Sequence, residues 1–319
     1  MVTSALGLSA CTLGTGDQDE DFGSQRPALK DANGTSLNGT SLNGTSLNGT
    51  SLNGTSLNGT SLNGTSLNGT SLNGTSLNGM WLNGSKLTTS TSDGQILTGS
   101  QLLNAEFDAT LFDGNKIRFR IDKIDVVPAA NPADDTYHYE ISFIALGDKS
   151  KKRAYVCGKT DQGAVRKSIP IQGGWDYRQG VTGGGSRIDE PNAITFACEG
   201  YAIYKCIDFG YKSWTTVEHG DTRDHHEACT RLIRADYCGD GTSWTVDGTL
   251  VNVFDNLGVQ PDTETWPTEA EWDQDGARCL SHQRIQNMDE VPQCSFDKVP
   301  KKCGINVDWK KTLLVSEAL

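Results

Sequence analysis

Several residues have the types and spacing that chemistry would need. His225, His226 and Cys229 fall within one helical turn, and the three-residue step from His226 to Cys229 would let an imidazole act as base to a thiol nucleophile. Cys229 also lies on the apolar side of that turn, where a thiol is more often bridged and inert than reactive. Asp236, Asp240 and Asp247 offer carboxylates near a Gly-rich loop, but they lack the alternating oxygen positions and closing Glu of a calcium loop, and Asp236 and Asp240 read as helix-end and turn formers beside Gly239 and Gly241. Gly183, Gly184 and Gly185 lie in a run that no Lys-Ser/Thr follows, which makes a loop rather than a phosphate cradle. Trp175, Trp214, Trp244, Trp266 and Trp272 could line a glycan or peptide site, although most belong in a core. The catalytic residues are therefore left unassigned, and no metal or cofactor is expected.

Cysteine usage bears on the compartment. There are nine cysteines. Eight of them, Cys157, Cys198, Cys206, Cys229, Cys238, Cys279, Cys294 and Cys303, lie in the C-terminal half. An even set confined to one region is what a disulfide framework in an oxidising compartment requires, and four bridges can be wired in about 105 ways, so the pairing is open. None stands as Cys-x-x-Cys, which counts against zinc. The ninth is Cys11. Leu8-Ser9-Ala10-Cys11 resembles the lipobox of bacterial lipoproteins, which implies that Cys11 is the lipid-modified first residue of the mature chain. The stretch before it is short for a secretion signal and has no Lys or Arg, so that reading implies a start upstream of Met1.

The formal charge is −12, and from Asn33 to Leu87 the only charged residue is Lys86, which leaves −12 − 1 = −13 for the remainder. An acidic surface gains nothing from nucleic acid or anionic lipid headgroups, so both are excluded as partners, with membrane contact only through a lipid anchor. No stretch reaches the roughly 18 apolar residues of a membrane-spanning helix.

The elements that must carry these residues fall into two halves. From Thr35 to Gly79 the word Thr-Ser-Leu-Asn-Gly occurs nine times without error. The wording then decays while the frame persists through Leu82, Leu87, Leu97, Leu102, Phe107, Phe112 and Ile117, with only Ser92 interrupting, which makes seventeen pentads from Leu37. A period of five fits neither the helix nor the strand alternation, so each pentad reads as one side of a square coil, with Leu inward and Asn-Gly at the corners. Seventeen sides would stack as a little over four coils, a rod of about 20 Å. Ala105 to Gly114 in particular resembles the pentapeptide-repeat family, which implies a right-handed quadrilateral β-helix over 35–118. The opposing reading is a disordered linker.

After Ile117 the pattern turns to strands at 117–127, 137–146, 154–157, 168–172, 193–198 and 249–254. Two helices are expected, at 201–209 and 223–237, the second with Glu227 and Arg231 paired at i, i+4 on its outer face. This predicts a disulfide-rich α+β domain over 119–319, preceded by a linker at 1–34 and the solenoid. The run Arg234-Ala235-Asp236-Tyr237-Cys238-Gly239-Asp240-Gly241, with Lys205-Cys206, Gly210 to Trp214 and Asp275 to Cys279, resembles the ADYC domain of secreted myxobacterial proteins over about Ile117 to Cys294. The resemblance implies a setting and singles out Ala235, Asp236, Tyr237 and Cys238, but it brings no chemistry with it.

The expected whole is an extracytoplasmic protein, an outer-membrane lipoprotein or a secreted chain of a bacterium, whose stalk presents a head to protein or glycan at the cell surface. Two alternatives stand beside it: an extracellular hydrolase with its site in the head, and a surface component assembled by end-to-end stacking of the rods.

Overall fold

The computed structural model describes residues 75–77, 80–91, 94–110, 116–146, 152–191, 193–217, 220–246, 249–285, 294 and 300–319. Cys11, Asp247 and the repeats before Thr75 lie outside them. The chain is β-rich, with two α-helices among the described residues.

The last exact repeat supplies β1 (Thr75–Leu77), followed by β2 (Met80–Asn83), β3 (Lys86–Ser90) and β4 (Ile96–Thr98). Next come β5 (Glu106–Thr110), the long β6 (Lys116–Val127) and β7 (Thr136–Ala145). In β6 the alternation buries Ile117, Phe119 and Ile121 and turns Arg118 and Arg120 away from the core, the signature of a sheet with one dry face. β8 (Ala154–Tyr155), β9 (Ser168–Gln172), β10 (Gly174–Trp175), β11 (Arg187–Ile188) and β12 (Ala193–Cys198) follow, then α1 (Ala202–Asp208).

Six of these strands form a ring. The order β6-β5-β1-β12-β9-β7 is closed by the pairing of β6 with β7, all antiparallel, and β8 adds to the flank of β7. Its interior is apolar: Phe119 stacks on Phe107 at 5.3 Å between centroids and meets Phe196 edge-on at 6.2 Å, with Ile117, Ile141 and Phe143 around them. Closure removes the unpaired edges an open sheet would present.

The remaining elements are β13 (Thr216–Val217), β14 (Gly220–Asp221), α2 (Arg223–Arg234), β15 (Asn252–Asp255), β16 (Thr268–Asp273), β17 (Gly276–Leu280) and β18 (Leu314–Glu317). The last four form a sheet in the order β15-β18-β16-β17, which packs with α1 and α2 around a second core. Four disulfides staple the chain: Cys157–Cys198 within the barrel, Cys206–Cys229 between the two helices, Cys238–Cys294 and Cys279–Cys303. Such a density of bridges belongs to an extracytoplasmic setting.

The described part of the expected solenoid is built differently. β2, β3 and β4 form an antiparallel meander, and β5 pairs antiparallel with β6, so the described residues between 80 and 118 wind no coil. The boundary expected at Arg118 falls inside β6. The reason lies in the spacing itself. Across the two-residue turn Gly84-Ser85, Asn83 pairs with Lys86 and Leu82 faces Leu87, so residues five apart meet on one face of a tight hairpin as readily as on successive sides of a square. Gly84 at φ 63° makes the turn possible, and a Cβ there would press on Trp214.

Phe119→Ala should remove a ring from the centre of the barrel and lower the unfolding free energy by about 3 to 5 kcal/mol. Leu103→Ala, at a residue 48% exposed, should cost well under that. Urea midpoints at constant m-value check both.

Candidate functional site

The densest chemistry among the described residues lies where α2 ends. The helix stops at Arg234, not at Tyr237, because Ala235 takes the left-handed conformation, φ 53°, and the N–H of Asp236 donates to the carbonyl of Arg231 at 2.9 Å. This six-to-one bond is a Schellman closure, usually made by Gly. Ala235 is wholly buried, so its methyl is packed at a position where L-residues are strained by roughly 1 to 2 kcal/mol.

The next three residues turn into the interior. Asp236 is fully buried and accepts from Arg231 Nη1 at 2.5 Å, from the N–H of Asp240 at 3.1 Å and from the N–H of Gly241 at 3.0 Å. Arg231 also donates to Ser186 Oγ, to the carbonyl of Gln274 and to that of Gly184. Arg234 stands 3.8 Å from the same carboxylate and donates to the carbonyl of Gly241, while its Nε and Nη1 have no hydrogen-bond partner. Burial pulls the Arg234 guanidinium down to about 10, against the pull of Asp236 in the other direction. Arg231 was expected on the outer face beside Glu227. Instead it is buried, and Glu227 reaches away to accept from the N–H of Arg187.

Three glycine-bearing segments converge on this pair. A Cβ on Gly184 or Gly241 would strike the carbonyl of Arg178, and one on Gly239 would strike that of Asp275. The glycines expected as a loose loop are thus a close backbone approach, and beyond them residues 178–182 project as an exposed tip between β10 and β11.

Tyr237 lies flat against Trp272, 5.5 Å between centroids, and donates to Glu269 at 2.5 Å. Glu269 holds Arg284 in a two-pronged pair at 2.7 and 2.8 Å, and Arg284 caps the carbonyl of Leu232. Burial and the Glu269 charge push the Tyr237 hydroxyl far above its usual range. Burial depresses the Arg284 guanidinium, but Glu269 and Tyr237 outweigh it and the net shift is upward. Cys238 is bonded to Cys294.

The reactive pairings considered from spacing are spent elsewhere. Cys229 is bridged to Cys206, and His226 is buried with Nε2 on the carbonyl of Ile203 and its ring edge-on to Trp175. His225 is buried against Tyr211. Asp240 caps its own turn by accepting from Thr242. One described group has metal-ligand proximity, Glu271 with Cys279 and Cys303, but those sulfurs form a disulfide and Glu271 accepts from Thr312. Trp175 and Trp272 are in the core, and Trp214, Trp244 and Trp266 are half-buried. Spacing gave no hint of the Tyr204–His138 contact at 2.8 Å, whose partners lie 66 residues apart.

A family model for the ADYC domain matches residues 99–286, and one for pentapeptide repeats matches residues 31–64 and 50–88. No curated protein and no solved structure matches the chain.

Three outcomes follow from this geometry. Asp236→Asn should leave two buried guanidinium groups without a counter-charge and cost about 3 to 5 kcal/mol in chemical unfolding. Ala235→Val should be strongly destabilising and Ala235→Gly close to neutral, because glycine relieves the left-handed strain but loses a buried methyl. Acid should act through histidine. Burial holds His138 down to about 4 and His226 to about 3 in the folded chain, against 6.5 unfolded. The unfolded state therefore binds the extra protons. Their contribution is complete above pH 6.5 and is lost as pH falls through 6.5 toward 4 and below, with a slope that His226→Gln reduces in pH-dependent melting.

Proposed function

The chain belongs to the ADYC-domain family, and on that footing we propose that it is an extracytoplasmic binding or structural protein whose head holds out a loop for recognition. The observation that carries this reading is how the family motif is used. Asp236, Tyr237 and Cys238 are consumed in an ion pair, a buried hydrogen-bonded trio and a disulfide, and what the glycine contact fixes in place is the exposed tip at 178–182. Function on loops held by a rigid scaffold is a general arrangement. The tip offers Arg178, paired to Asp176, and the exposed Val181, a mixed surface suited to a protein or glycan at a bacterial cell surface.

The repeats serve as the stalk. On the square-coil reading, the eight copies before Thr75 wind two coils, about 10 Å of quadrilateral β-helix, ahead of the barrel. Acylation at Cys11 would anchor that stalk to a membrane, and mass spectrometry of the mature N-terminus tests it: a soluble chain beginning at another residue removes the anchor.

Retention of the full chain on immobilised bacterial envelope glycans and proteins tests the tip. The double variant Arg178→Ala, Val181→Ala should lose at least about tenfold in affinity, some 1.4 kcal/mol, with an unchanged urea midpoint. Unchanged retention in that variant would remove the tip from the function.

A further inference from the structure

The barrel is closed by a strand the chain has in nine identical copies. β1 is Thr75-Ser76-Leu77 from the last exact repeat, and Ser76 is paired on both sides, to Ala193 of β12 and to Thr110 of β5. The described pairing of the seat lies in this three-residue stretch, and Thr70-Ser71-Leu72 and each earlier copy repeat its sequence. A one-residue slip in a sheet turns every side chain to the wrong face. A slip of five residues along this tract restores every residue, so nothing in the seat opposes it.

We propose that the seat between β5 and β12 accepts any of the nine pentads of its own chain, so that the head docks on its repeat tract at registers five residues apart. At the seat the cost of a shift lies in the connection alone, to which a copy wound into the stalk adds the coil pairing it gives up. Only Asn78 and Gly79 link the seated copy to Met80, and seating the preceding copy lengthens that link from two residues to seven. Loop-closure entropy then makes this register about sixfold less populated than the first, with further registers declining slowly. Each shift draws one pentad into the link and changes the reach of the tract by up to about 17 Å. The occupant is the same chain because its copies are tethered beside the seat at high effective concentration. The inference is independent of what the head binds.

Proline in place of the doubly paired serine disables a copy, since it removes a ladder N–H inside a sheet. The experiment is carried out on the full chain and reads the folding equilibrium constant and its concentration dependence. Ser76→Pro should lower the constant by less than about tenfold, because the remaining copies take the seat. Proline at the corresponding serine of all nine copies should lower it by on the order of a hundredfold. Restoring Ser71 alone in that background should recover most of the loss, and Ser36→Pro alone should change nothing. If Ser76→Pro is as damaging as the ninefold variant, the seat belongs to the last copy only and the proposal falls. It falls equally if neither variant is destabilised, or if Ser76→Pro is rescued only as protein concentration rises, since the occupant would then be a second chain.

Discussion

The head depends on one buried carboxylate. Asp236 gives up its hydration completely, and so do Arg231 and Arg234, which would cost several kcal/mol per ion if nothing replaced the lost water. The replacement comes mostly from backbone: the N–H groups of Asp240 and Gly241 serve the anion, and the carbonyls of Gly184, Gln274 and Gly241, with the hydroxyl of Ser186, serve the cations. Backbone can come that close from three directions only where it carries no Cβ, and this accounts for Gly184, Gly239 and Gly241 together. The disulfide at Cys238 and the Tyr237–Glu269–Arg284 trio leave the same turn, so the C-terminal sheet is registered to α2 through it.

The pentad frame meets a different constraint. Five-residue spacing of large apolar residues satisfies a square coil, and across a two-residue turn it satisfies a hairpin equally well. What separates the two in residues 80–98 is the company the residues keep. Trp81, Lys86 and the threonines of β3 have lost the uniform small side chain that a narrow coil interior needs, whereas Thr88 and Thr98 bond across strands as sheet neighbours do.

The strands from β6 to β9, with β12 and β15, and both helices were legible, because alternation in Lys116–Val127 and the apolar stripe of α2 are local signals, whereas β16, β17 and β18 of the C-terminal sheet were not expected. The helix end at Arg234 was not, since Ala at a left-handed cap goes against the usual residue preference and only tertiary packing enforces it. Arg231 misled for a related reason: its i, i+4 relation to Glu227 is the commonest surface pairing, while its true partners lie at 184, 186, 236 and 274, contributed by loops that carry no periodicity. The family motif could be recognised by its letters, but what each letter does could be learned only from partners such as Glu269 and Cys294, far along the chain.

The distribution of covalent staples sets where the molecule yields. The four disulfides span 157–198, 206–229, 238–294 and 279–303, so nearly all the chain from 157 to 303 lies inside a closed loop. Strands β1, β5, β6 and β7 of the barrel ring lie outside every disulfide loop and are held by hydrogen bonds, packing and surface ion pairs such as Arg118–Asp108 and Lys123–Glu140. The repeat tract enters at β1, which has two paired residues on each side. Load arriving through the repeats therefore meets the shortest strand of the ring before it meets any disulfide. The clasp around Asp236 and the tip it positions lie behind the staples, insulated from a pull that β1 can absorb by opening first.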